Sequence, residues 1–179
     1  MVNPTNLILK AVLVLLVLSL VIALSQTRFD YLKTQKYYSV PITMAEREKQ
    51  LECLAKNIYF EAATEPFEGK VAVAQVTMNR VESGKFPADV CDVVFQKNTF
   101  YNRVVCQFSW YCEDGPKVVR SKAHFTESME VAKRVLLENY RLPSLTGAMY
   151  YHADYVNPRW NKPKIVQIGR HIFYGERII

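Results

Sequence analysis

No run of Lys or Arg in this chain is longer than two residues. A nucleic-acid-binding arm is therefore not signalled, and nucleic acid is not expected as a partner. No Cys-x-x-Cys pair occurs, and the three histidines, His124, His152 and His171, stand singly. Their scatter does not support a zinc site, and no metal or other cofactor is expected. Internal repeats are absent, and the one biased tract is an apolar run near the N-terminus.

What is present is uneven. The 179 residues suit one globular domain plus an extension. The formal net charge is +6, and only Lys10 lies before Gln26, so the soluble part carries nearly all of it. A basic domain favours an anionic partner, such as lipid headgroups or an acidic polymer. Four cysteines, Cys53, Cys91, Cys106 and Cys112, make an even count behind an apolar N-terminus. That pattern fits two disulfides formed in an oxidising compartment, with three pairings open. Free core cysteines are the alternative.

Residues 7–24 carry Lys10 as their only charge. They match the minimum length of a membrane span and also a secretory signal with a small-x-small site at Ala23-Leu24-Ser25. The density of Leu and Val favours retention as a transmembrane helix. We divide the chain into an anchor or signal segment (1–25), a tether (26–42) and a soluble domain (43–179). The cysteines place that domain outward: anchored in the inner membrane and facing the periplasm, or secreted if cleavage follows Ser25.

Within the soluble part, Thr43 and Glu46 form a capping-box pattern, and the apolar spacing of Leu51, Leu54, Ala55, Ile58 and Ala62 predicts a helix over 44–62. Glu61 sits at its C-terminal end after Tyr59-Phe60. The helix dipole opposes a carboxylate there and the aromatic rings desolvate it, so both raise its pKa. A neutral carboxylic acid suits general acid catalysis; a solvated surface glutamate fits the same local pattern. Glu65 and Glu68 follow within one turn of the break at Pro66, which belongs in a first helical turn. Glu65 is read as a cap of the next helix. That helix, over about 71–79, is apolar on more than one side and so buried, and Gly84 ends it. Residues 86–112 are turn-rich, with Asp89 capping a short helix or strand over 90–96. Thr126 is the expected N-cap of a helix ending near Tyr140. Residues 148–152 and 165–174 read as two strands of a small antiparallel sheet.

Ala55-Lys-Asn-Ile-Tyr-Phe-Glu-Ala62, Glu65-Pro-x-x-Gly69, Val71-Ala-Val-Ala-Gln-Val-x-x-Asn-Arg-Val81, Phe86-Pro87, Val90-Cys-x-Val-Val94, Cys106-Gln-Phe-Ser-Trp110, Cys112, Tyr151-His152, Pro158-x-Trp160 and Ile168-Gly-x-His-x-Phe-Tyr174 occur in that order. With these motifs the chain resembles the SleB/CwlJ-type cell wall hydrolases, the spore cortex-lytic enzyme family, over residues 52–174. It departs from the family at Ala63-Thr64, where Gly or Arg-Gly is common.

The resemblance implies an α+β, mainly helical, lysozyme-like catalytic domain with a small antiparallel sheet near the C-terminus. It implies cleavage of peptidoglycan glycan strands with Glu61 as the acid; a monomer is expected. No separate wall-binding repeat is recognised. A single acid/base suits a lytic transglycosylase, whereas a hydrolytic muramidase needs a second carboxylate, for which Glu65 and Glu68 are the near candidates. Gln107, Ser109, Trp110, Tyr151 and His152 are the expected substrate contacts. Two further readings stay open: an amidase with a metal on His152, His171 and Glu61, and a non-catalytic, membrane-tethered wall-binding protein.

Overall fold

The computed structural model describes residues 4–38 and 43–176. The chain divides into two compact units, residues 1–43 and 44–179. The first holds one helix, α1 (Pro4–Tyr38). Its segment Lys10–Arg28 has a mean hydropathy of 2.1 and is long and apolar enough to cross a membrane. The hydroxyls of Ser19, Ser25 and Thr27 each donate to the carbonyl three residues back, so these polar groups are satisfied within the helix itself. The helix continues to Tyr38, through most of the stretch read as a tether. Its Gln, Lys and Leu residues are good helix formers, and the first proline after Pro4 is Pro41. Residues 39–42, the end of that stretch, lie outside the described residues.

The second unit is built around α3 (Phe67–Glu82). Every residue from Gly69 to Met78 is buried. One side of α3 packs through Val71, Ala74 and Met78 against Leu54 and Ile58 of α2 (Met44–Ala62), Val93 of α4 (Val90–Val94) and Val131 and Val135 of α6 (Lys122–Leu136). The other side packs through Ala72 and Val76 against Leu145, Ala148 and Phe173. A helix enclosed by helices on one side and a sheet on the other must be apolar nearly all round, which is how its sequence reads.

Polar side chains on the same helix tie the sheet side in place. Gln75 exchanges two hydrogen bonds with the backbone of Leu142 (2.7 and 3.1 Å), and Asn79 donates to the carbonyls of Leu145 and Ala148. On α2, Gln50 Oε1 accepts from the backbone N–H groups of Val90 and Cys91, which begin α4. A disulfide between Cys53 and Cys91 joins the same two helices, and a second joins Cys106 to Cys112. The two bridges form one of the three pairings left open by the sequence.

In the second unit, four features differ from the sequence reading. A hairpin, β1 (Lys97–Phe100) and β2 (Arg103–Cys106), occupies the region expected to be turns. Its loop residues Tyr101 and Asn102 both have positive φ, 44° and 66°, the backbone of a tight two-residue hairpin turn that here lacks glycine as a cue. The N-cap of α6 is Ser121, which accepts from His124 N, so Thr126 lies inside the helix; the helix also stops at Leu136, before Asn139 at φ 54°. Residues 165–174 form two strands, not one: β4 (Lys164–Ile168) and β5 (His171–Tyr174) fold back at Gly169, φ 56°. With β3 (Tyr150–Ala153) they make an antiparallel sheet of order β3-β5-β4, placing Tyr151 opposite Phe173. Finally, Pro66 is itself the N-cap residue of α3, and no side chain caps that helix.

Candidate active site

α2 ends beneath a cleft of about 550 Å³, and Glu61 in its last turn lines the floor. One wall is the segment from Cys106 to Trp110 together with Glu113; the other is β3 and the loop after it, with Tyr150, Tyr151, His152, Tyr155 and Trp160. The Cys106–Cys112 disulfide staples the first wall around α5 (Ser109–Cys112).

The two aromatic residues before Glu61 part company. Phe60 lines the cleft and stacks on Trp110, with centroids 4.4 Å apart at 18°. Tyr59 turns away, and its hydroxyl accepts from the backbone N–H groups of Arg120 and Ser121 at the start of α6. Trp110 also lines the cleft, but its indole N–H donates to Asn57 Oδ1 at 2.9 Å within the core. Trp110 can thus offer substrate an apolar surface and no hydrogen bond.

The Tyr151 hydroxyl donates to Glu61 Oε2 at 3.0 Å. Burial pushes the Glu61 carboxyl up from an ordinary 4.5 to about 7. The Tyr151 hydrogen bond and the Arg80 charge oppose that rise, and Glu113 adds to it. Burial likewise raises the Tyr151 phenol, which remains a proton donor at neutral pH.

Arg80 comes from α3 and is 4% exposed. Its Nε donates to Met149 O at 2.9 Å. Its guanidinium lies against the rings of Phe86 and Phe108, 5.5 and 4.8 Å from their centroids. With the Gln107 amide turned to satisfy both partners, Oε1 accepts from both terminal nitrogens of Arg80 at 3.2 Å.

The remaining expected contacts divide. Gln107, Ser109, Tyr151 and His152 all line the cleft. Ser109 donates to Glu113 Oε1 at 3.0 Å. His152 is held at both ring nitrogens, with Nδ1 2.8 Å from Ala153 O and Nε2 2.9 Å from the Tyr174 hydroxyl. A carbonyl can only accept, so Nδ1 carries a proton; in the neutral ring Nε2 then accepts from the Tyr174 hydroxyl. His171 lines the cleft beside Tyr151, with its Nδ1 buried and unbonded; burial lowers its pKa and keeps it neutral near pH 7.

Glu65 and Glu68 lie outside the cleft lining. Glu65 does not cap α3. Its Oε2 crosses to the β4–β5 turn and accepts from Arg170 N at 3.1 Å. Glu68 is exposed on the first turn of α3. Among the described residues, no three His, Cys, Asp or Glu side chains gather as a metal-binding group.

The cell wall hydrolase profile matches residues 64–174, which include both walls of this cleft. The chain belongs to the cell wall hydrolase family. It is 30% identical over 139 residues to a spore cortex-lytic enzyme of Oceanobacillus iheyensis, covering 75% of this chain and 45% of that protein. It is 31% identical over 148 residues to the spore cortex-lytic enzyme of Halalkalibacterium halodurans, covering 80% of this chain and 39% of that one. The chain thus spans less than half the length of these curated relatives. The crystal structure of the catalytic domain of the Bacillus cereus SleB protein superposes with a TM-score of 0.53 at 26% identity, covering 71% of this chain and 90% of that one.

Glu61 lies just upstream of the stretch matched by the cell wall hydrolase profile, whereas Arg80, Gln107, Tyr151 and His171 lie within it. Sequence reasoning assigned no role to Arg80, Glu113, Tyr150 or Trp160. Arg80 and Trp160 stand in the family-like motifs Asn79-Arg80-Val81 and Pro158-x-Trp160, which offered a cue. Glu113 had only its place directly after Cys112.

Proposed function

We propose that this chain cleaves the glycan strands of peptidoglycan as a lytic transglycosylase, with Glu61 as its single acid and base. The observation that carries this reading is a carboxylic acid at the floor of an aromatic-walled cleft of sugar-binding size, with its pKa raised to about 7 so that a large share stays protonated near neutral pH. Family membership and the likeness to the SleB catalytic domain support the substrate class.

Tyr151 donates into Oε2, so the Glu61 proton sits on Oε1. Glu61 gives that proton to the glycosidic oxygen between N-acetylmuramic acid and N-acetylglucosamine as the C1–O bond breaks. The resulting carboxylate then removes the proton of the muramic C6 hydroxyl. O6 bonds to C1 and closes a 1,6-anhydro ring without water. The nucleophile is already part of the substrate, so proximity lowers the barrier. Gln107, Ser109 and Tyr151 contribute polar groups along the strand, while Trp110 and His152 contribute packing.

A hydrolytic muramidase is the second reading, because Glu113 places another carboxylate in the cleft lining. Its exposure and its hydrogen bond from Ser109 favour a rim role. Glu61, His152 and His171 share the cleft, but among the described residues they do not gather as a metal-binding group, which gives a metal-dependent amidase less support. The two disulfides and the apolar α1 segment support a domain acting outside the inner membrane, anchored through residues 7–24 or released after Ser25.

Lysis of purified sacculi by Glu61→Gln tests the reading. The amide keeps the shape and removes the acid, so turbidity should stay constant where the parent clears it. A mutant that lyses at the parent's rate rules Glu61 out as the acid. A parent that binds sacculi and never lyses them supports the wall-binding alternative.

A further inference from the structure

Arg80 is a buried cation with no carboxylate partner among the described residues. Among the described residues, no ion pair joins it to an acidic side chain, although it lies almost wholly inside the protein. Its hydrogen-bond partners are the neutral Met149 carbonyl and Gln107 amide. Removing a guanidinium from water without a counter-ion is costly, and an apolar side chain of similar volume would pack between Phe86 and Phe108 at lower cost. The charge is also anchored in direction. The Met149 carbonyl fixes Nε, the Gln107 amide fixes the fork, and two rings fix the plane. Its open side faces the cleft that Glu61 lines.

We infer that Arg80 is a positioning residue that supplies the counter-charge for the Glu61 carboxylate during the reaction. The inference rests on Glu61 being the acid. While Glu61 holds its proton, Arg80 has no carboxylate to pair with among the described residues. When the Glu61 proton passes to the glycosidic oxygen and the C1–O bond breaks, a carboxylate appears at the cleft floor opposite a guanidinium already in place. When that carboxylate takes the C6 hydroxyl proton and O6 bonds to C1, the pair separates again. Charge fixed in advance in a site of low dielectric stabilises the transition state without reorganisation. The other groups that face Glu61 cannot substitute for it: Tyr151 is a neutral donor, His171 is neutral and Glu113 is repulsive.

Arg80→Met and Arg80→Lys, assayed on soluble glycan strands, test this. Arg80→Met should lower kcat by roughly 10²–10³-fold, the loss typical of removing one such charge stabiliser, with little change in KM. Its alkaline rate limb should move to higher pH, because the carboxylate loses the charge that favours it. Arg80→Lys should recover part of both. A carbon-13 titration of the labelled Glu61 carboxyl in Arg80→Met should show the same upward shift without any turnover. If Arg80→Met does not fold, Gln107→Ala leaves the core intact and frees the guanidinium fork; a several-fold drop in kcat with a smaller upward shift is then expected. A folded Arg80→Met with the parent's titration, a loss confined to KM, or a Gln107→Ala identical to the parent overturns the inference. Glu61→Gln separates the two levels: an active Glu61→Gln removes the premise, whereas an inactive one beside an unaltered Arg80→Met removes only the role of Arg80.

Discussion

The hydroxyl of Tyr151 on β3 donates to Glu61 Oε2 at the end of α2, across 3.0 Å and 90 residues of sequence. This bond couples the helical half of the domain to its sheet at the point where the acid is buried.

Tyr151→Phe should keep the ring contacts with Phe108, Phe173 and His171 while removing that donor. A hydrogen bond to a charged group contributes about 1.5–3 kcal/mol, so kcat should fall by roughly 10- to 100-fold. The alkaline limb of the pH–rate profile should rise above the parent's, because Tyr151 lowers the Glu61 pKa. Steady-state rates from pH 5 to 9 measure both effects.

Glu61 should also make the protein less stable as pH rises. Its folded pKa of about 7 exceeds the ordinary 4.5, so the folded state holds a proton that the unfolded chain has released. The stability of the neutral form is fully present below about 4.5 and is lost progressively as pH climbs through about 7. The loss is on the order of 3 kcal/mol. Urea unfolding of the parent and Glu61→Gln should show a gap, in favour of the mutant, that widens over this window.

The part of this site legible in the sequence was the part encoded locally. The end of α2, the aromatic residue Phe60 and the break at Pro66 mark Glu61 within a few residues, and the apolar spacing of α3 shows its burial. The Asn79-Arg80-Val81 motif marked Arg80 without giving its role, because its backbone partner, Met149, is 69 residues away and its charge reads like any surface arginine. Glu65 was misread as a helix cap for a similar reason, since its real partner at Arg170 lies 105 residues on. Residues 165–174 read as one strand because β-branched and aromatic residues lie on both sides of Gly169, and only the backbone reversal there divides it. The β1–β2 hairpin lacked the glycine that usually marks such a turn.

Gly169→Ala tests the Glu65 contact. A Cβ at Gly169 would collide with Glu65 Oε2, on a backbone at φ 56°. Gly84→Ala meets the same kind of backbone strain, at φ 70°, with open space around it. Denaturant unfolding should show a cost near 1 kcal/mol at Gly84 and roughly 2–4 kcal/mol at Gly169. Equal costs would mean that Glu65 swings aside freely.

The two disulfides should separate stability from function. Cys53–Cys91 encloses 38 residues of sequence separation and Cys106–Cys112 only 6. Paired Ser substitutions should cost about 4 and about 2 kcal/mol respectively on loop-closure grounds. Activity should follow the opposite order below the melting temperature, because the shorter bridge holds the cleft wall that carries Gln107, Ser109 and Trp110. Thermal melts alongside sacculus lysis check both.

Mass spectrometry of peptidoglycan digested by the purified protein bears most directly on Glu61 as sole acid and base. Intramolecular attack by the C6 hydroxyl should leave muramic ends as 1,6-anhydro sugars, lighter by one water than hydrolysis products. Uniformly reducing muramic ends would contradict a transglycosylase and would assign Glu113 as the second carboxylate of a muramidase. Released peptides with intact glycan would contradict cleavage of the strand altogether.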